Sequence, residues 1–148
     1  MELVWTEQLS VGNAVLDSDH KKLVGMVNNM GNAIRAGGSF VLSGALVHLE
    51  VWLRIHFAKE ERIAQAIDLD FSDHKRALQF SLDELRLMRD VLIARNVMQP
   101  DRAAKCFIHF LKNWSIDGHI IDLNMPMKQA LQANDYEFWP SRCGGKTG

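Results

Sequence analysis

The sequence predicts an all-α fold: an antiparallel up-down-up-down four-helix bundle with an extended N-terminal arm. Two observations carry this. Apolar residues recur at three- and four-residue steps through four long segments, while strand-type alternation is nearly absent. The breaks between segments are short and hold Gly, Pro, Asp and Ser, which favours sequential helices packed side by side in opposite directions.

Trp5 to Val15 carry Ser10, Gly12 and Asn13 and read as an arm with turns, expected over residues 1–16. Asp17, Ser18 and Asp19 offer N-caps for a first helix running to about Ala36, with Gly37-Gly38-Ser39 as its stop. A second helix is expected from Phe40 to Ile67, with Leu42, Leu46, Leu49, Leu53 and Phe57 on its apolar stripe. Asp68 to Ser72 interrupts the pattern. Ser72 or Asp73 then caps a third helix through Arg95, striped by Leu78, Leu82, Leu85 and Met88.

After Asn96–Pro100, Asp101 is the expected cap of a fourth helix from Arg102 to about Trp114 and on toward Leu131. Gly118 and Pro126 predict local irregularity there, since proline lacks an amide donor and mid-helix glycine costs about 1 kcal/mol against alanine. Residues 1–140 read as one domain and 141–148 as a polar, Gly-rich flexible tail. Phe138 and Trp139, just before that tail, are expected to dock on the bundle, with docking on a partner as the alternative.

A chain of 148 residues, 47% of them apolar, is large enough for one real core. Its formal net charge of −1 gives no electrostatic case for nucleic acid or an anionic membrane surface. No apolar run is long enough to span a bilayer, and the N-terminus lacks the basic-then-apolar pattern of a secretory signal. Cys106, in a helical pattern, reads as a core thiol and Cys143 as an incidental one. Two such cysteines make no disulfide framework, and a reducing cytoplasm is the expected setting. Nothing in the pattern specifies an oligomeric state.

The chemistry lies in five residues: His20, His56, Glu60, His74 and His119. His56 and Glu60 are four residues apart, so both leave the same face of a helix. His20 and His74 open the first and third helices, while His56/Glu60 and His119 lie late in the second and fourth. In an up-down-up-down bundle all five therefore fall at one level. Imidazole plus carboxylate suits iron or zinc. His48 lies about 12 Å along the axis from His56 and His109 is farther still from His119, so both read as bland surface or core residues. Glu61 points about 100° away from Glu60 and reads as solvated. No nucleophile arrangement or phosphate loop is present, and no enzymatic role is expected.

Several motifs carry a resemblance. Trp5-Thr6-Glu7-Gln8-Leu9-Ser10-Val11-Gly12, Leu16-Asp17-Ser18-Asp19-His20-Lys21-Lys22-Leu23, His56-Phe57-Ala58-Lys59-Glu60-Glu61, His74-Lys75 and His119-Ile120 together resemble the bacterial hemerythrin family, over residues 4–132. The resemblance implies a four-helix bundle with a non-haem di-iron centre. It further implies reversible binding of O₂, or of another diatomic such as NO, for carriage, storage or sensing.

The sequence departs from the family pattern at three places. The family's second histidine on the third helix is here Leu78, and its bridging aspartate on the fourth is Asn124. Trp114 precedes His119 by five residues where the family has four, with Gly118 between, and a local rewinding near Gly118 would absorb the extra residue. By the resemblance, one iron keeps His20, His56 and bridging Glu60, whereas the other keeps only His74, His119 and Glu60. The second iron is therefore expected to be weakened. Asp122, three residues after His119, reads as solvated or capping, with replacement of the missing aspartate as the alternative. Leu78 makes its side of the site apolar. The alternative reading is a metal-binding bundle with a mononuclear iron or zinc site or a labile second site, acting as a weak oxidase or as a regulatory or interaction module.

Overall fold

A computed structural model describes residues 2–36, 39–96 and 100–134. Four long helices dominate: α1 (Ala14–Arg35), α2 (Ser39–Ala66), α3 (Ser72–Asn96) and α4 (Pro100–Asn113). α4 runs directly into a π-helix, Trp114–Asn124, then a 3₁₀ turn, Met125–Met127, and a short α5, Lys128–Asn134. A 3₁₀ turn, Glu7–Leu9, precedes α1. Among the described residues there is no strand, and no helix is long and apolar enough to cross a membrane.

The helix ends differ from expectation where side chains take over backbone donors. α1 starts at Ala14 because Asn13 Oδ1 accepts the Leu16 N–H at 3.0 Å, so residues 14–16 are helical rather than part of an arm. Asp17, Ser18 and Asp19 consequently lie inside the helix. Asp17 instead fastens the preceding segment, accepting the Val11 N–H at 2.9 Å and the Ser10 hydroxyl at 2.5 Å. At α3, Asp70 Oδ1 takes the Ser72 N–H at 3.0 Å, and Ser72 and Asp73 are already helical. Pro100 opens α4, where its missing donor costs nothing, which places Asp101 within the first turn. Gly37, Gly38, residues 97–99 and residues 135–148 (hence Phe138, Trp139, Cys143 and the tail) lie outside the described residues.

Each long helix packs on two others: α1 on α2 and α4, α3 on α2 and α4. The interior is divided. One apolar cluster joins Leu23, Val27, Leu49, Leu53, Leu82 and Phe107; another joins Leu16, Ile63, Phe71, Leu78, Met127 and Leu131. Phe57 packs on both. The expected stripes of α2 and α3 are buried at Leu46, Leu49, Leu53, Leu78, Leu82 and Leu85. Cys106 is not a core thiol: Phe107 and Leu111 set the inward face of α4, which leaves Cys106 exposed.

The cap gives a direct test. Asn13→Ala should destabilise the protein by about 1 kcal/mol in urea unfolding. A loss indistinguishable from zero would mean that the amide does not hold the start of α1.

Candidate metal centre

Between the two apolar clusters lies a layer of buried polar groups. On α1, His20 falls between Leu16 and Leu23; on α2, His56 and Glu60 fall between Leu53 and Ile63. His119 comes from the π-helix, between Trp114 and Met127. One ligand atom from each of His20, His56, Glu60 and His119 lies within 4.8 Å of every other, and all four side chains are buried. The fifth residue, His74, reaches the same carboxylate from the first turn of α3.

Glu60 is the hub. Its Oε1 lies 2.7 Å from His56 Nε2, 3.3 Å from His119 Nε2 and 3.9 Å from His20 Nε2. Its Oε2 lies 3.2 Å from His74 Nε2. His56 Nε2 and His119 Nε2 are 3.1 Å apart. His119 therefore groups with His20 and His56, not with His74 as the resemblance divides them. A tetrahedral ion at typical zinc–nitrogen lengths separates its donors by about 3.3 Å, so this spacing is close to that of a coordination shell.

The residues fit a metal on a second count. Both ring nitrogens of His20, Glu60 Oε1 and His119 Nδ1 are buried without a hydrogen-bond partner. The short contacts to Glu60 Oε1 thus converge on it without hydrogen-bond alignment. Buried polar atoms without partners cost about 1–3 kcal/mol each, and a bound cation would satisfy those that face it.

The two departures from the family pattern are filled rather than open. Leu78, one turn beyond His74, packs in the second apolar cluster with Phe71 and Ile63. Asn124 is buried, and its Nδ2 donates to the His119 carbonyl at 2.9 Å and lies 2.9 Å from His119 Nε2. Asp122 is exposed and takes no part. Glu61 pairs with Lys75 at 3.1 Å, His109 faces solvent beside Asn113, and His48 is exposed.

The extra residue before His119 is absorbed by helical rewinding. The π-helix spans eleven residues around Gly118, and at its end the Met125 N–H donates to the Ile120 carbonyl five residues back. Residues five apart on an α-helix point about 140° from one another; here Trp114 and His119 stack, with ring centroids 6.2 Å apart and planes at 15°. Trp114 is in turn fixed to α3 through its Nε1–H, which donates to the Ser81 carbonyl at 3.0 Å.

The sequence reading missed the groups behind His56. His56 Nδ1 lies 2.9 Å from Asp19 Oδ2, and Lys59 Nζ reaches the two oxygens of Asp19 at 3.3 and 3.1 Å. Trp52 stacks on the His56 ring at 5.3 Å. The available signal was adjacency: Asp19 and Lys59 each sit beside a candidate ligand in the chain.

Charge follows from this geometry. Burial disfavours the His56 imidazolium, but the charge of Glu60 and the hydrogen bond to Asp19 outweigh it and raise its pKa to about 9. Burial pushes His119 down to about 4, with Glu60 opposing only in part. His20 is lowered by burial as well. Burial raises the Glu60 carboxyl, yet the charges of His56 and His119 hold it well below its usual range.

In the metal-free protein these shifts act in opposite senses. The stability contributed by His119 is fully present above its ordinary value of 6.5 and is lost between there and about 4. That of His56 is fully present below 6.5 and is lost as pH rises through about 9. Thermal melts of the metal-free protein should therefore show a maximum near pH 6.5 that falls off on both sides. A profile that only rises across that range would contradict the assignment for His56.

No family model and no solved structure matches the chain. It is 31% identical over 75 residues to proteins named bacteriohemerythrin in Pseudomonas aeruginosa (strains LESB58 and UCBPP-PA14) and in Pseudomonas paraeruginosa (strain DSM 24068 / PA7). The match takes in 50% of this chain and 49% of each relative, so it spans about half the length of the curated proteins. Helical fold, His/Glu cluster and sequence similarity thus point the same way, toward the hemerythrin-like proteins.

Proposed function

We propose that this chain is a hemerythrin-like protein that holds non-haem iron at His20, His56, Glu60, His74 and His119. In this reading it binds O₂ or another small diatomic such as NO, for carriage, storage or sensing rather than as an enzyme, in the cytoplasm. The single observation that carries the reading is the buried set of three imidazoles around one carboxylate, several of its atoms lacking hydrogen bonds. The relatives named bacteriohemerythrin support it. When bound, iron supplies an electron-rich, Lewis-acidic centre with which a diatomic gas can combine. The chain's part is to hold the donors and exclude water: Trp52 covers His56, Phe57 and Trp114 cover His119, and Phe71 covers His74.

One observation favours a variation on this reading. Four donors form a tight group and His74 stands apart on Glu60 Oε2, with Leu78 packed as core and the Asn124 amide turned to His119. This supports one firmly held metal, iron or zinc, and a second position served only by Glu60 and His74. Loss of two ligand groups costs more than the 10–100-fold typical of changes to a ligand's supporting hydrogen bonds.

Metal content per chain, with absorption spectra under argon and in air, tests both. About two irons and a reversible oxygen-dependent band would support the di-iron reading; about one metal without such a band would favour the variation. His56→Ala and Glu60→Ala should each abolish loading and remove the thermal stabilisation given by metal. Unchanged loading in both would exclude this site. Leu78→His combined with Asn124→Asp should raise the metal content above that of the wild type. No gain would show that the filled positions are not what limits the second metal.

A further inference from the structure

We propose that Asp19, held by Lys59, is a positioning residue that makes His56 the anchoring donor of the centre. The inference rests on the metal reading above and concerns which of the donors is pre-set for it. The three buried imidazoles of the tight group are not equivalent. His20 has no hydrogen bond at either nitrogen, and His119 has none at Nδ1. His56 alone among them has its outer nitrogen fixed, with Nδ1 at 2.9 Å from Asp19 Oδ2.

In the neutral ring, a proton on Nδ1 donated to this carboxylate leaves the lone pair on Nε2. That nitrogen points into the cluster, 2.7 Å from Glu60 Oε1 and 3.1 Å from His119 Nε2. The carboxylate also makes the imidazole a stronger donor, as partners behind metal-binding histidines do. Asp19 is itself restrained: it is 3% exposed and Lys59 Nζ contacts both of its oxygens. Trp52, stacked within 9° of the His56 plane, removes the remaining freedom of rotation about the ring. The contact at Nδ1 thus sets the tilt and direction of the ring, and its tautomer once the second proton has left, and the other two imidazoles close on it.

The test uses the full chain and cobalt(II), whose visible bands report the ligand field, together with nitrogen-15 NMR of the metal-free histidines. At alkaline pH, with the ring neutral, wild-type His56 should be the Nδ1–H tautomer, donating to Asp19. Asp19→Asn, which keeps the shape and removes the charge, should lose that tautomer preference. It should also bind cobalt about 10–100-fold more weakly, with shifted bands. Asp19→Ala should do the same where it folds, and the isosteric variant carries the test where it does not. A merely structural Asp19 would lower the melting temperature while leaving tautomer, bands and affinity as in the wild type, and that result overturns the proposal. A wild type that takes up no cobalt would overturn the metal reading along with it, whereas a wild type that binds and an unaffected Asn variant would overturn only the role of Asp19.

Discussion

The structure depends on the ionised carboxylate of Glu60 at the centre of the molecule. Removing such a group from water costs several kcal/mol unless charges and hydrogen bonds meet it. Here the compensation comes from the charge of His56 on its own helix and the contact of His74 on α3, while His20 on α1 and His119 on the π-helix face the same carboxylate. That requirement constrains the relative height of every long helix. A slide of one turn, about 5.4 Å, would leave the charge facing leucine. The apolar clusters above and below supply most of the burial, but the polar layer sets the register at which they meet.

The π-helix is the local adjustment that makes this possible. With Trp114 and His119 five positions apart, an ordinary helix would carry one of the two side chains away from the interior. Hydrogen bonding over five residues brings both inward, one to Ser81 on α3 and the other to Glu60. Asn124 then closes the widened turn by donating to the His119 carbonyl. The same amide lies against His119 Nε2, so Asn124 serves both the ring and the backbone of the helix that carries the site.

What could be read in the sequence was whatever repeats with a helical period. The four long helices, the inward leucines of α2 and α3 and the meeting of His20, His56, Glu60, His74 and His119 all follow from spacing. An irregularity near Gly118 also followed, though its extent across eleven residues did not, because nothing in one residue type marks where five-residue bonding stops. Helix ends were displaced at Asn13 and Asp70 because a cap depends on which side chain wins a backbone donor, a competition between close neighbours. Asp19, a cap candidate by its place in the sequence, instead meets His56, 37 residues away on α2. Cys106 was misplaced because one step along a helix turns a residue by about 100°, enough to move it from core to surface.

The division of the interior by the polar layer bears on cooperativity. Two apolar clusters that share Phe57 as a common neighbour are mechanically closer to two small cores than to one. Small cores open at lower free energy than large ones, and hydrogen exchange resolves such units separately. In the metal-free chain the cluster around Leu16, Ile63 and Leu131 can therefore loosen while the one around Leu53 and Phe107 stays closed. An ion gripped by α1, α2 and the π-helix would act as a rivet through the layer, and the two halves would then open together or not at all.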